Sequence, residues 1–204
     1  MWYVFNMPSK PKPSSTSKIR KLIEHKKLAI FSELERFGAS GTLLKRMTES
    51  GQILALGSGI YASPKFDPFT ATLYAASKYY PKAVISGLTA LQIHGLSQEY
   101  IEKVDVDISR DTSLRNKMLN VHRVPNARLV GITELKYQGE VIRVYDIERT
   151  LCEAYLFDPA GALFFKALKR YVSLGKINTA AIQKYDASTK TAVLSHLRQE
   201  LANE

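Results

Sequence analysis

FSELERFGASGTLLKRMTESG, residues 31–51, decides how the first third of the chain is read. Leu34 and Phe37 form a short apolar stripe closed by Gly38, and Ser32 with Glu35 three residues on has the spacing of a capping box. Only Gly38 and Ala39 separate that helix from Ser40, whose side chain suits the cap of a second one. Leu43, Leu44 and Met47 then recur on one face until Gly51 provides a stop. Two short helices joined by a tight glycine-containing turn make a helix-turn-helix unit.

Upstream, Ser17 precedes KIRKLIEHKK, where Ile19, Leu22 and Ile23 keep helical spacing and the opposite face is basic, so a first helix is expected from a Ser17 cap. Downstream the period changes. Gln52 to Leu56 is short and apolar, Gly57-Ser58-Gly59 suits a turn with positive φ, and Ile60-Tyr61 resumes an apolar strand. These features predict a wing hairpin, and residues 17–63 are expected to form a winged helix-turn-helix domain behind a disordered or extended basic tail of residues 1–16. In such domains the third helix enters the major groove of DNA. Its exposed positions here are Thr42, Lys45, Arg46 and Glu49. The candidate DNA-binding residues are Lys18, Arg20 and Lys21 on the first helix, Ser40, Thr42, Lys45 and Arg46 on the third, and Ser58 at the wing. Arg46 has the fork for a guanine edge, Lys45 the reach for a phosphate, and Ser40 with the free amides behind it suits another phosphate; which does which stays open.

Charge supports this reading, because the net +10 is unevenly placed. Residues 1–66 hold 11 of the 29 Lys and Arg but only 4 of the 19 Asp and Glu, an excess of seven that leaves three for the other 138 residues. One module facing a polyanion gives that asymmetry. Other classes are disfavoured. Cys152 is the lone cysteine, and the four histidines, at 25, 94, 122 and 196, lack ligand spacing, so a cytoplasmic protein without metal or cofactor is expected. The opening MWYVFNMP meets Pro8 too early for a signal peptide or membrane span.

Pro64 and Pro68 mark a boundary, and residues 67–204 are expected to form a separate domain. Asp67 with Pro68 opens a helix to about Tyr80, and Ser86 opens another that ends at His94-Gly95. Strands are expected over 103–109, 120–124, 129–132, 135–137 and 141–145, with a hairpin turn at Gln138-Gly139. Helices follow over 147–157, 160–174, 178–185 and 189–201. The fold class is therefore α+β: a winged helix-turn-helix, then a mixed domain with a small sheet and a helical C-terminal part. No phosphate-binding glycine loop and no nucleophile elbow occurs, and no enzyme activity is expected.

Asp105-Val106-Asp107 places two carboxylates on one face of a strand, as in nucleotidyltransferases that hold magnesium ions. The Gly-Ser pair that such enzymes carry at an upstream helix start is not supplied by Gly95-Leu96-Ser97, and no third acidic residue stands on the later strand. Solvent-facing polar positions on an amphipathic strand are the simpler expectation for Asp105 and Asp107. A metal-dependent nucleotidyltransferase-like enzyme using them, or a ligand-sensing transcriptional regulator, are the alternatives.

Three segments in order carry a resemblance: Gly57-Ser58-Gly59-Ile60-Tyr61-Ala62; Ile85-Ser86-Gly87-Leu88-Thr89-Ala90-Leu91 with His94-Gly95-Leu96; and Val144-Tyr145-Asp146-Ile147-Glu148-Arg149-Thr150-Leu151. With them the chain, from about Ile19 to Tyr171, resembles the AbiEi antitoxins of bacterial type IV toxin-antitoxin (abortive infection) systems. The resemblance implies a DNA-binding antitoxin and transcriptional autorepressor, nucleoid-associated when bound to inverted repeats in its own promoter. It also implies that residues 67–204 counteract a nucleotidyltransferase toxin without a stable complex. The chain departs from the family at Ser58, where the wing is often basic, and at Glu153, near where an aspartate is common. Glu148 and Arg149 are expected to form a structural ion pair at a helix start.

Overall fold

The computed structural model describes residues 14–202. The chain divides into two compact units, one made of the residues up to Ala55 with Gly59–Phe66, the other of Leu56–Ser58 with Asp67 onward. The expected tail of residues 1–16, with its MWYVFNMP opening, lies outside the described residues as far as residue 13.

In the first unit, α1 (Ser15–Lys26) buries Ile19 and Ile23. Its cap is Ser14, which accepts from the Ser17 amide at 3.3 Å, and not Ser17 itself. Ser14-Ser15-Thr16-Ser17 offers several capping hydroxyls, and capping from the first of them adds nearly a full turn to the helix. An unforeseen strand, β1 (Leu28–Ile30), runs straight into α2 (Phe31–Glu35). That junction moves the helix start forward: the Glu33 carboxylate accepts from the Ile30 amide at 3.1 Å, while Ser32 and Glu35 are exposed and form no capping box. After Gly38, at φ +84°, α3 (Gly41–Glu49) starts at Ser40, whose hydroxyl accepts from the Leu43 amide at 3.2 Å. Strands β2 (Leu54–Ala55) and β3 (Ile60–Ala62) pair antiparallel, and β1 joins the other side of β3, giving the order β1-β3-β2. Ile19, Ile23, Leu34, Leu44, Met47 and Ile53 form the core between helices and sheet.

In the second unit, Asp67 caps α4 (Pro68–Tyr79), accepting from the Thr70 amide at 2.7 Å. Then come β4 (Val84–Ile85), α5 (Gly87–Ile93), β5 (Val104–Ser109), β6 (Leu119–Val124), β7 (Ile132–Tyr137) and β8 (Glu140–Tyr145). They make a five-stranded mixed sheet ordered β6-β5-β4-β8-β7, antiparallel at β4–β5 and β7–β8, parallel at β5–β6 and β4–β8. The central β4 was not anticipated, because two residues are too few to show a period. It is joined through only three register pairs: Val84 with Asp107, Ile85 with Val106, and Ile85 with Val144.

No separate strand forms over 129–131, and residue 132 begins β7. A 3-10 turn at Asn126–Arg128 and Gly131 at φ +71° occupy the approach to β7 instead. A Cβ on Gly131 would lie 2.8 Å from Arg149 Cβ and 2.8 Å from the Tyr185 ring, so a backbone of that hand and closeness requires glycine. The hairpin turn at Gln138-Gly139 has positive φ at both positions, 47° and 91°, as a tight two-residue connection demands.

Four helices complete the unit: α6 (Ile147–Phe157), α7 (Ala162–Ser173), α8 (Thr179–Thr189) and α9 (Val193–Ala202). Leu151, Phe164, Leu168, Tyr171, Ile182 and Leu197 fill the core between them. Helix α8 extends four residues past its expected end, and α9 starts later, because the buried-side carboxylate of Asp186 accepts from the amides of Val193 at 3.0 Å and Leu194 at 2.8 Å. The described residues are thus α+β with two small sheets, and among them no helix is long and apolar enough to cross a membrane.

Candidate nucleic-acid interface and a buried charge cluster

Burying Leu44 and Met47 turns Thr42, Lys45, Arg46 and Glu49 of α3 outward, and all four are exposed. Lys45 Nζ lies 3.9 Å from Glu49, an exposed pair one helical turn apart that holds neither side chain firmly. Arg46 has no carboxylate partner among the described residues. Ser40 stands beside them, exposed, with its oxygen already serving the Leu43 amide. Lys18, Arg20 and Lys21 are exposed together on α1, opposite the buried Ile19 and Ile23. Ser58, the expected wing contact, is placed differently. It belongs to the second unit, sits at φ +50° and donates its hydroxyl to the Arg115 carbonyl at 2.9 Å.

The second unit holds a cluster that sequence reasoning placed on its surface. Strand β5 is buried on both faces, so Asp105 and Asp107 are 7% and 1% exposed, and neither is a solvent-side position. The sheet is mixed and covered, and in such sheets alternation no longer reports the wet face. Asp105 accepts from Asn120 Nδ2 at 2.8 Å, His122 Nε2 at 3.2 Å, and the Thr89 amide and hydroxyl at 3.4 Å. Asp107 accepts from the Ser86 hydroxyl at 2.7 Å and the Tyr145 hydroxyl at 3.0 Å.

Arg149, on α6 and fully buried, supplies the balancing cation. Its guanidinium lies 2.5 Å from Glu153, donates to the Arg128 carbonyl at 3.0 Å and stacks 4.4 Å from the Tyr145 ring centre. The expected Glu148–Arg149 ion pair is therefore not formed. Residues adjacent on a helix point about 100° apart, and Glu148 accepts instead from the Tyr171 hydroxyl at 2.9 Å. The legible signal was the four-residue spacing of Arg149 and Glu153, which places both on one helix face.

Burial pushes the carboxyls of Asp107 and Glu153 above the usual carboxylate range, the Arg149 charge offsetting part of the rise. His122 is raised chiefly by its hydrogen bond to Asp105, and burial opposes that. His94 moves the other way: burial lowers it, favouring the neutral ring, and Nε2 stands 2.7 Å from the Tyr145 carbonyl, which accepts its proton in the hydrogen-bonded tautomer.

Ser86-Gly87, not Gly95-Leu96-Ser97, is the Ser/Gly pair at a helix start beside the paired aspartates. Gly87, at φ +55°, lies so close to Asp105 that a Cβ would meet its Oδ2 at 3.2 Å. Yet the Asp105 and Asp107 oxygens are taken up by protein donors, and no three His, Cys, Asp or Glu among the described residues are placed to share a metal ion. The geometry ties sheet to helix.

No family model and no curated protein matches the chain. Among solved structures, the fold is similar to the crystal structure of the Rv2827c protein from Mycobacterium tuberculosis, with a TM-score of 0.64 and 12% identity, over 93% of this chain and 78% of that one. At that identity the likeness concerns the fold alone.

Proposed function

We propose that the protein is a DNA-binding antitoxin and transcriptional autorepressor of a type IV toxin-antitoxin operon, acting in the bacterial cytoplasm. Its first unit serves as a winged helix-turn-helix: α2 and α3 are the helix-turn-helix, β2 and β3 the wing. Helix α3 enters the major groove with Lys45, Arg46 and Thr42 at the bases and phosphates, and Ser40 at its start. Lys18, Arg20 and Lys21 add phosphate contacts. Ser58 contributes none through its hydroxyl, which is engaged with Arg115. The second unit opposes a nucleotidyltransferase toxin without a stable complex. The observation that carries this reading is the exposed, cation-bearing face of α3, set in a stretch with seven excess positive charges.

The test is fluorescence anisotropy of the full chain on a duplex from upstream of its own gene. Affinity is expected to fall steeply with salt, as counterion release requires. Replacing Lys45 and Arg46 together by alanine is expected to weaken binding by roughly 10- to 100-fold, the worth of about one bidentate base contact. Rescue of cells poisoned by the toxin is expected to persist in that variant. Affinity that ignores both salt and the double substitution refutes the assignment.

The nucleotidyltransferase-like reading has one observation in its favour, the Ser86-Gly87 helix start beside Asp105 and Asp107. That each oxygen of Asp105 and Asp107 already accepts from a protein donor counts against it. A magnesium-dependent transfer activity abolished by Asp105→Ala would reverse that order.

A further inference from the structure

The second unit carries a cleft of about 440 Å³ between the segment after α5 and helix α7. That size lies within the roughly 300–1,000 Å³ of small-ligand sites. One wall is cationic. Lys166, Lys169 and Arg170 stand at i, i+3 and i+4 of α7, which puts all three on one helix face. The Arg170 guanidinium donates to the Gly95 carbonyl at 3.3 Å, which holds it at the mouth. Facing them is a single carboxylate, Glu99, 4.0 Å from Lys166 Nζ, and both side chains are more than half exposed, so the pair constrains little. Lys169 has no acidic partner among the described residues. The floor is apolar, formed by the buried Leu96 and the half-buried Leu163.

Three cations against one carboxylate leave an excess of two positive charges beside an apolar floor, within one concavity. A phosphate monoester matches that charge, and its oxygens accept from the Arg170 fork and the two ammonium groups. A planar or apolar group attached to the phosphate would cover Leu96 and Leu163. We propose that this cleft binds a phosphorylated small molecule of mononucleotide type, independently of any DNA held by the first unit. Duplex DNA is the less suitable occupant, because its phosphates need an open basic strip.

The experiment is calorimetric titration of the full chain with adenosine 5′-monophosphate, inorganic phosphate and adenosine in separate arms. Saturable binding of the monophosphate is expected, tighter than either other arm. Lys169→Gln and Arg170→Gln are each expected to weaken it at least tenfold with unchanged thermal unfolding. Lys184→Gln, an exposed lysine on α8, is expected to leave it unaltered. The proposal is overturned if the monophosphate does not bind, or if neither α7 substitution weakens it. It is equally overturned if phosphate binds as tightly as the monophosphate, or if duplex DNA competes for the site.

Discussion

Replacing Arg149 by methionine removes the central cation of the buried cluster while keeping an unbranched apolar side chain in its place. The guanidinium is fully buried, its partner Glu153 is 5% exposed, and Asp107 behind them is 1% exposed. Taking one member from a buried pair leaves the other charged and desolvated, a loss of roughly 3–5 kcal/mol. The Arg128 carbonyl loses its donor and the Tyr145 ring its cation, both within that range. For a unit of this size such a loss corresponds to a fall in Tm of about 10–20 °C. Urea unfolding followed by circular dichroism measures it directly, with Glu153→Gln and the double variant completing a cycle. Because the carboxylate left behind is the main penalty, adding Glu153→Gln to Arg149→Met is expected to restore about 1–3 kcal/mol instead of adding a second loss. A cost below about 1 kcal/mol, or two losses that simply sum, would show that the cluster is effectively solvated and refute the reasoning.

The same cluster sets a pH dependence. His122, Asp107 and Glu153 all bind protons more tightly folded than unfolded, so the stability they favour is present at acid pH and lost as pH rises through their folded-state pKa values. His94, lowered by burial, works oppositely and costs stability as pH falls below the ordinary histidine range. Unfolding free energy is expected to decline as pH rises above the ordinary histidine value of about 6.5, and His122→Gln to flatten that slope; an equal slope in the variant would assign it elsewhere. Burial pushes the Cys152 thiol up to about 12, so a thiol reagent at pH 8 is expected to label it only as fast as the second unit opens, and instant labelling of the native protein would contradict its placement. Gly131→Ala is expected to destabilise by more than about 1 kcal/mol, read by the same urea titration, because it adds both an adverse φ and a clash with Arg149 and Tyr185. A neutral effect would mean that the turn relaxes freely.

Elements with a full period were legible: α3 from Ser40 to Glu49, α4 behind Asp67-Pro68, α6 from Ile147 to Phe157, and the β7–β8 hairpin around Gln138-Gly139. Those set by partners distant in sequence were not. β1 and β4 are three and two residues long, and each is a strand only because β3, or β5 and β8, run alongside. Asp105 and Asp107 read as wet because alternation in a sequence implies one buried face, whereas β5 is buried on both. Thr89, Ser86 and Tyr145, which satisfy those carboxylates, stand 16, 21 and 38 residues away, a distance over which single-sequence spacing carries no signal.

The shortness of β4 gives Asp107 a second meaning. With three register pairs across its middle, the sheet is nearly two separate ribbons, β5–β6 on one side and β7–β8 on the other. Asp107 on β5 takes one hydrogen bond from Ser86, just past the end of β4, and another from Tyr145, the last residue of β8. A single carboxylate thus stitches both ribbons where the backbone ladder is thinnest, and whether the two halves of the sheet open together or apart is expected to turn on that rivet of side chains.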